Sequence, residues 1–217
     1  MRKIIGFGVA AALLVMSGGH YLGFHYYYEY QRERATAQSV ERSFPALERQ
    51  LNRAVAFSRN PRFLKELGRL YLEMALAENE FGTAAGREVF LERAQNALER
   101  AIRANPADGS AFFEMGKVYL LYNFPLLTYA EKGRVYLKRA LELKPADEFL
   151  NLNILYIFLT QWDSLAEEEK EFAGGRLKER AAADGRFRDR LRRRWEENYG
   201  TAAALDPILS AIGHFSE

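Results

Sequence analysis

The sequence contains no cysteine. Disulfides, thiolate chemistry, iron–sulfur clusters, cysteine-type zinc sites and a lipid-modified N-terminal cysteine are excluded together. Histidine is almost as scarce: His20, His25 and His214 are the three in 217 residues, and no two stand at metal-ligand spacing. There is no glycine-rich phosphate loop, no His-Glu-x-x-His and no Gly-x-Ser-x-Gly. The Gly174-Gly175 pair reads as a helix break rather than a nucleotide loop. The expectation is therefore a protein that is not an enzyme, with no resident cofactor or metal and no small-molecule substrate. Charge of one sign is lacking too: the net charge is +2, so no nucleic-acid partner is expected of the chain as a whole.

Helix formers are what the sequence has in quantity. Hydrophobic residues make up 48% of it, prolines number six, and period-two alternation is never sustained, so the reading is all-α. Residues 4–24 carry no acidic or basic side chain apart from His20. A helix of that length rises about 31 Å, enough to cross a hydrocarbon core of about 30 Å. Tyr26, Tyr27, Tyr28 and Tyr30 follow, as at a membrane–water interface. The expectation is an uncleaved single-pass anchor in a bacterial inner membrane, touching lipid, with Arg2 and Lys3 keeping the N-terminus cytoplasmic and the remainder periplasmic. Gly19 and Gly23 form a small-xxx-small pair suited to packing against another membrane helix. His20 and His25 stand near the expected membrane edge, where a haem or chlorophyll ligand could sit, although an interfacial histidine is ordinarily just amphipathic.

Beyond a polar stalk at 29–42 and a helix expected from Pro45, the sequence repeats itself. Leu64, Leu67, Gly68 and Tyr71 match Phe112, Met115, Gly116 and Tyr119 in spacing and type. Ala94, Leu98, Ala101 and Pro106 match Gly133, Leu137, Ala140 and Pro145, with steps of four, three and five in both. A third copy, Asn151, Ile154, Leu155 and Phe158, lacks the glycine, and its second helix, near 164–183, matches through Ala173 and Leu177. The pattern resembles the tetratricopeptide repeat, an antiparallel helix pair of about 34 residues. The resemblance implies that Gly68, Ala94, Ala101, Gly116, Gly133 and Ala140 lie where helices touch, and that large residues fill the seams. It also implies a concave face, lined by residues 63–71, 111–119 and 150–158, that binds peptides or neighbouring subunits. Two connections are longer than the family's, through EMALAENEFGTAAGREVF and LLYNFPLLT. Aromatics crowd both, with Phe81 in the first and Tyr119, Tyr122, Phe124 and Tyr129 around the second.

Near the C-terminus Phe187, Leu191 and Trp195 form a four-residue stripe suited to a helix that covers the last open seam. Arg186, Arg188, Arg190, Arg192, Arg193 and Arg194 surround it. They read either as a contact for lipid head groups or an acidic partner, or as internal partners of Glu167, Glu168, Glu169 and Glu171. The expected architecture is all-α: a single transmembrane helix, a tetratricopeptide-like array of about two and a half repeats, and a C-terminal capping helix. The boundaries are an anchor at 1–28, a stalk and leading helix at 29–60, repeats at 61–183, and a cap and tail at 184–217. The expected function is a non-catalytic, membrane-anchored scaffold or accessory subunit docking onto a partner membrane complex. The alternatives are a periplasmic assembly factor for a secretion, pilus, polysaccharide or cytochrome system, and a pigment- or haem-associated membrane subunit using His20 or His25.

Overall fold

The computed structural model describes the backbone of residues 2–81, 84–122 and 129–214 and the side chains of 17–78, 84–122 and 129–213. Among the described residues the chain is 85% helix, with ten α-helices and no strand. It divides into two compact units, residues 1–136 and 137–217.

In the first unit, α1 (Arg2–Thr36), α2 (Val40–Phe57), α3 (Pro61–Phe81), α4 (Ala84–Ala104) and α5 (Gly109–Leu121) follow through short breaks, and α6 (Ala130–Leu143) begins after them. Each helix from α2 to α5 packs on the one before it, as short connections require. Their starts are written in capping side chains. The Ser39 hydroxyl accepts the Arg42 N–H at 3.2 Å, the Asn60 amide oxygen accepts the Arg62 N–H at 2.9 Å, and Asp108 accepts the Ser110 N–H at 3.0 Å. Each satisfies a donor that a helix terminus leaves open. Pro45 does not open a helix; it lies inside α2, which starts at Val40.

The first lengthened connection is not a loop. Its Ala-, Glu- and Leu-rich residues extend α3 to Phe81 and start α4 at Ala84, so both helices reach 21 residues. Strong helix formers without proline add turns rather than slack. In the second connection residues 123–128, Phe124 among them, lie outside the described residues, as does the side chain of Phe81.

Small residues stand where helix backbones approach. A Cβ on Gly68 would lie 2.6 Å from Leu98 Cγ and 3.3 Å from the Ala94 carbonyl oxygen, and one on Gly133 would lie 2.9 Å from the Gly116 carbonyl oxygen. Ala94, Leu98 and Ala101 are buried on α4. Leu64, Leu67, Tyr71, Met115 and Tyr119 are buried as well, while Phe112 is half-buried.

The anchor expectation is corrected here. Among the described residues no helix is long and apolar enough to cross a membrane, so the inner-membrane placement, the cytoplasmic N-terminus and the periplasmic domain fall with it. The physical reason lies in what covers the described part of α1. Gly23 is buried against α2, where a Cβ would meet Ser58 Cβ at 2.5 Å, and a Cβ on Gly19 would meet the Phe57 carbonyl oxygen at 3.3 Å. The small-xxx-small pair thus receives a helix of its own chain. Phe24 and Tyr27 pack on Phe63 with ring centroids 5.2 and 4.6 Å away, and Tyr26 stacks on Phe57 at 5.6 Å. Tyr27 and Tyr30, expected at a lipid interface, are core residues. Their hydroxyls accept from Arg62 at 3.1 Å and Arg34 at 3.3 Å, and Arg34 also holds Glu73 of α3 at 2.6 Å. The expected stalk and leading helix belong to this packing rather than standing apart from it.

The second unit contains the end of α6, then α7 (Glu148–Thr160), a 3-10 turn (Trp162–Ser164), α8 (Glu167–Ala183), α9 (Phe187–Tyr199) and α10 (Leu205–His214). Asp147 caps α7 by accepting the Leu150 N–H at 3.0 Å. Leu137 and Ala140 of α6 are buried, as are Ile154, Leu155 and Phe158 of α7, and Ala173 and Leu177 of α8. Gly174 and Gly175 do not break α8, which runs through both. α9 presents Phe187, Leu191 and Trp195 to the core as the stripe suggested, and ends at Gly200, whose φ of 73° suits the left-handed position.

Candidate protein-docking face

The concave lining expected from the repeat pattern is largely closed. No residue of α5 from Gly109 to Leu121 is exposed, none in 150–158 is, and in 63–71 only Arg69 is. Helices apolar around their circumference are buried ones. Exposed aromatic surface lies elsewhere.

It lies on the first unit, where α4, the end of α5 and the start of α6 meet. Phe112 and Tyr119 are seven residues apart on α5, and Tyr129 and Tyr136 are seven apart on α6 and the turn before it, so each pair shares a helix face. Together with Tyr122 they form a ladder. Successive ring centroids are 6.0 Å (Phe112–Tyr136), 5.4 Å (Tyr136–Tyr119), 6.2 Å (Tyr119–Tyr122) and 6.1 Å (Tyr122–Tyr129). Tyr119 is buried, Tyr122 and Tyr136 are half-buried, and Tyr129 is 45% exposed. The ladder thus has its buried rung in the middle, at Tyr119, and reaches solvent at Tyr129.

Two kinds of charge border it. The Lys132 ammonium lies 4.2 Å from the centroid of the Tyr119 ring, and the bond to the Tyr119 hydroxyl holds Lys132 above its ordinary pKa. On the other side, the Tyr122 hydroxyl donates to Gln95 Oε1 at 3.3 Å, and the Gln95 amide donates to Glu99 at 2.8 Å. Gln95 belongs to a row on α4, Glu88, Glu92, Gln95 and Glu99, at steps of four, three and four, which places them on one face. Burial pushes the Tyr122 hydroxyl up to about 12, and the negative charges of Glu92, Glu88 and Glu99 add to it. The ring faces are electron-rich, so a cation is the favoured neighbour.

The sequence pointed to Tyr119, Tyr122 and Tyr129 but missed Tyr136, Lys132 and the α4 carboxylates. The paired seven-residue steps would have shown Tyr136. The four-three-four spacing on α4 would have shown the acidic row.

The histidines and arginines have partners of their own. His20 Nδ1 and the Ser58 hydroxyl share a hydrogen bond of 3.1 Å, and His20 meets Phe24 edge-on at 5.4 Å. His25 is exposed beside Tyr26. Among the described residues no group of three or more His, Asp or Glu is arranged to hold a metal. In the second unit Arg190 pairs with Asp184 and, at 3.0 Å, with Glu148; Arg192 pairs with Asp206; and Arg194 lies 5.1 Å over the Tyr156 ring. Arg186, Arg188 and Arg193 are exposed. Half of the expected basic patch is thus taken up by the packing of the second unit.

Cavities also lie among the described residues of that unit. One of about 330 Å³ is lined by Glu167, Lys170, Glu171, Gly174, Gly175, Lys178 and Ile212. One of about 460 Å³ is lined by Arg188, Asp189, Arg192, Asp206, Leu209 and Ser210. Both mix charges of opposite sign and neither carries an aromatic ring, so neither matches the α4–α6 face as a place to anchor a protein. No family model, no curated protein and no solved structure matches the chain.

Proposed function

We propose that the protein is a non-catalytic scaffold of stacked helical hairpins, of the tetratricopeptide kind, that docks a protein partner through the α4–α6 face. The observation that carries the reading is the aromatic ladder. Five rings in contact, with Tyr119 buried and Tyr129 exposed, bring an aromatic surface to solvent at the ends of two helices. Tyrosines so placed give contact area at low entropic cost, which is why they concentrate the energy of protein interfaces. The glycine and alanine seams keep the two sides of the ladder in register, since helices closing to backbone contact leave little room to shift.

The test is affinity purification of the tagged full chain from its source cells, beside the double variant Tyr122→Ala/Tyr129→Ala with the same melting temperature. A defined partner recovered in fixed ratio with the native chain and lost with the variant is the expected result. A partner set that is identical for both chains would remove this face from the function. Recovery on mature assemblies against recovery on intermediates alone separates a permanent subunit from an assembly factor.

A further inference from the structure

We infer that the segment docking on this face is a basic one, bearing lysine or arginine, whose cation takes the seat above Tyr119 that Lys132 fills in the free protein. The inference rests on the docking reading above and names the chemistry of its partner.

Three observations meet at the face. The first is that a cation already sits there, with Lys132 Nζ 4.2 Å from the Tyr119 centroid. The ring accepts an ammonium in this geometry because its π-face is negative. The second is that this occupant is replaceable. Lys132 is exposed on a flexible stem, one turn from the outermost rung, Tyr129. It can swing into water while Tyr119 stays fixed in the core. The third is that carboxylates border the ladder, Glu99 acting on Lys132 itself and Glu88 and Glu92 on the next rung, Tyr122. Glu88 and Glu92 are exposed and Glu99 half-exposed on the α4 row beside Tyr122. A cationic segment lying along the ladder would meet rings on one side and carboxylates on the other. An acidic segment would meet repulsion from the same row, and a neutral one would forfeit both terms.

Lys132 then acts as an internal competitor. A guest must displace it, so its removal exposes the ring and leaves the acidic row uncompensated. General attraction also tightens basic peptides when a lysine is deleted, so the mark of the seat is that the tightening on Lys132→Ala disappears in a Tyr119→Leu background.

The test uses the full chain and four fluorescent octapeptides: octalysine, octaarginine, octaglutamate and an uncharged Gly/Ser peptide, titrated by anisotropy at low and physiological salt. The basic peptides are expected to saturate the chain, and the other two to stay unbound. Lys132→Ala should tighten the basic peptides by about threefold, and Glu92→Gln/Glu99→Gln should weaken them by about tenfold. Glu196→Gln/Glu197→Gln on the exposed end of α9 should leave them unchanged. The inference is overturned if Lys132→Ala weakens or does not alter binding, or if both glutamine pairs act alike. Those results, alongside a native partner still lost on Tyr122→Ala/Tyr129→Ala, would sink the basic segment and leave the docking face standing. A partner indifferent to the tyrosines would sink the docking face itself.

Discussion

The α-carbon of Gly68 faces Leu98 so closely that a methyl group placed there would stand 2.6 Å from Leu98 Cγ and 2.9 Å from its Cδ2. Leu98 is fully buried and has no open direction in which to retreat. Gly68→Ala should therefore push α3 and α4 apart and cost about 1–3 kcal/mol. Gly175, also inside a helix, has nothing within 4 Å of its virtual Cβ. Gly175→Ala should stabilise by about 0.5–1 kcal/mol, because only the conformational cost of glycine is removed. Urea unfolding of both variants decides the matter, and equal effects would mean that the α3–α4 seam is looser than the geometry shows.

The two Pro-Ala-Asp segments, at 106–108 and 145–147, give a second prediction. In each, the aspartate two residues after the proline caps the next helix, with bonds of 3.0 Å to the Ser110 and Leu150 N–H groups. Asp147→Ala should cost about 1 kcal/mol, the ordinary value of an N-cap. Asp108→Ala should cost more, because Asp108 also binds the Lys65 ammonium at 2.9 Å across to α3. Asp108→Asn keeps the cap and loses the ion pair with Lys65, so it should fall within about 1 kcal/mol of the native chain. If Asp108→Asn is as damaging as Asp108→Ala, the capping argument fails at that helix.

These cases show which parts of the molecule the residues disclosed. Glycine at 68 and 133 and alanine at 94 and 101 were legible, because only tiny side chains permit backbone contact and nothing else explains their matched spacing. The Pro-Ala-Asp repetition was equally visible, though its aspartates were passed over in favour of the prolines. The described part of α1 was misread for a physical reason: an aromatic and apolar helix face looks the same whether lipid or protein covers it. What separates the two is the partner of Gly23, which is Ser58 just past the end of α2, 35 positions away in sequence. The aromatic face proposed for docking was half legible. Its tyrosines sit at helical spacing, whereas the meeting of Glu88, Glu92 and Glu99 with Tyr122 depends on how α4 turns against α5.

Asn151 stands where the first two repeats carry a large apolar residue, and the structure explains the exchange. Its side chain is fully buried; the amide donates to the carbonyls of Pro145 at 3.0 Å and Asp147 at 2.7 Å. The amide oxygen accepts from Arg176 of α8 at 3.2 Å, and Arg176 reaches the Pro145 carbonyl as well, at 2.9 Å. Asn151→Leu would restore the repeat pattern while removing the buried amide that bridges the Pro145 and Asp147 carbonyls and Arg176, leaving each carbonyl with one partner. We expect it to destabilise the second unit by about 1–3 kcal/mol in thermal unfolding. An increase in stability would show that the apolar repeat residue suffices here.

Four tyrosines tie stability to alkaline pH. Burial is the first cause that pushes the hydroxyls of Tyr30, Tyr71, Tyr122 and Tyr156 up to about 12. For Tyr71 the second cause is its donation to Glu48 at 2.7 Å, which favours the protonated form. In the unfolded chain a tyrosine titrates near about 10. Between those values the folded state keeps protons that the unfolded state has released, so stability falls as pH rises through that window and is fully present below it. The chain should hold its helical signal to about pH 10 and lose it cooperatively before about pH 12. Tyr71→Phe should be less stable at neutral pH by about 1 kcal/mol, having lost the bond to Glu48. It should also show a shallower loss above about pH 10, having one tyrosinate fewer to form on unfolding. Circular dichroism and tyrosinate absorbance followed together give both slopes. Ionisation of all the tyrosines near about 10, with no helix lost, would mean that their hydroxyls are open to solvent and that the packing of α1 on α3 and of α5 on α6 is not as described.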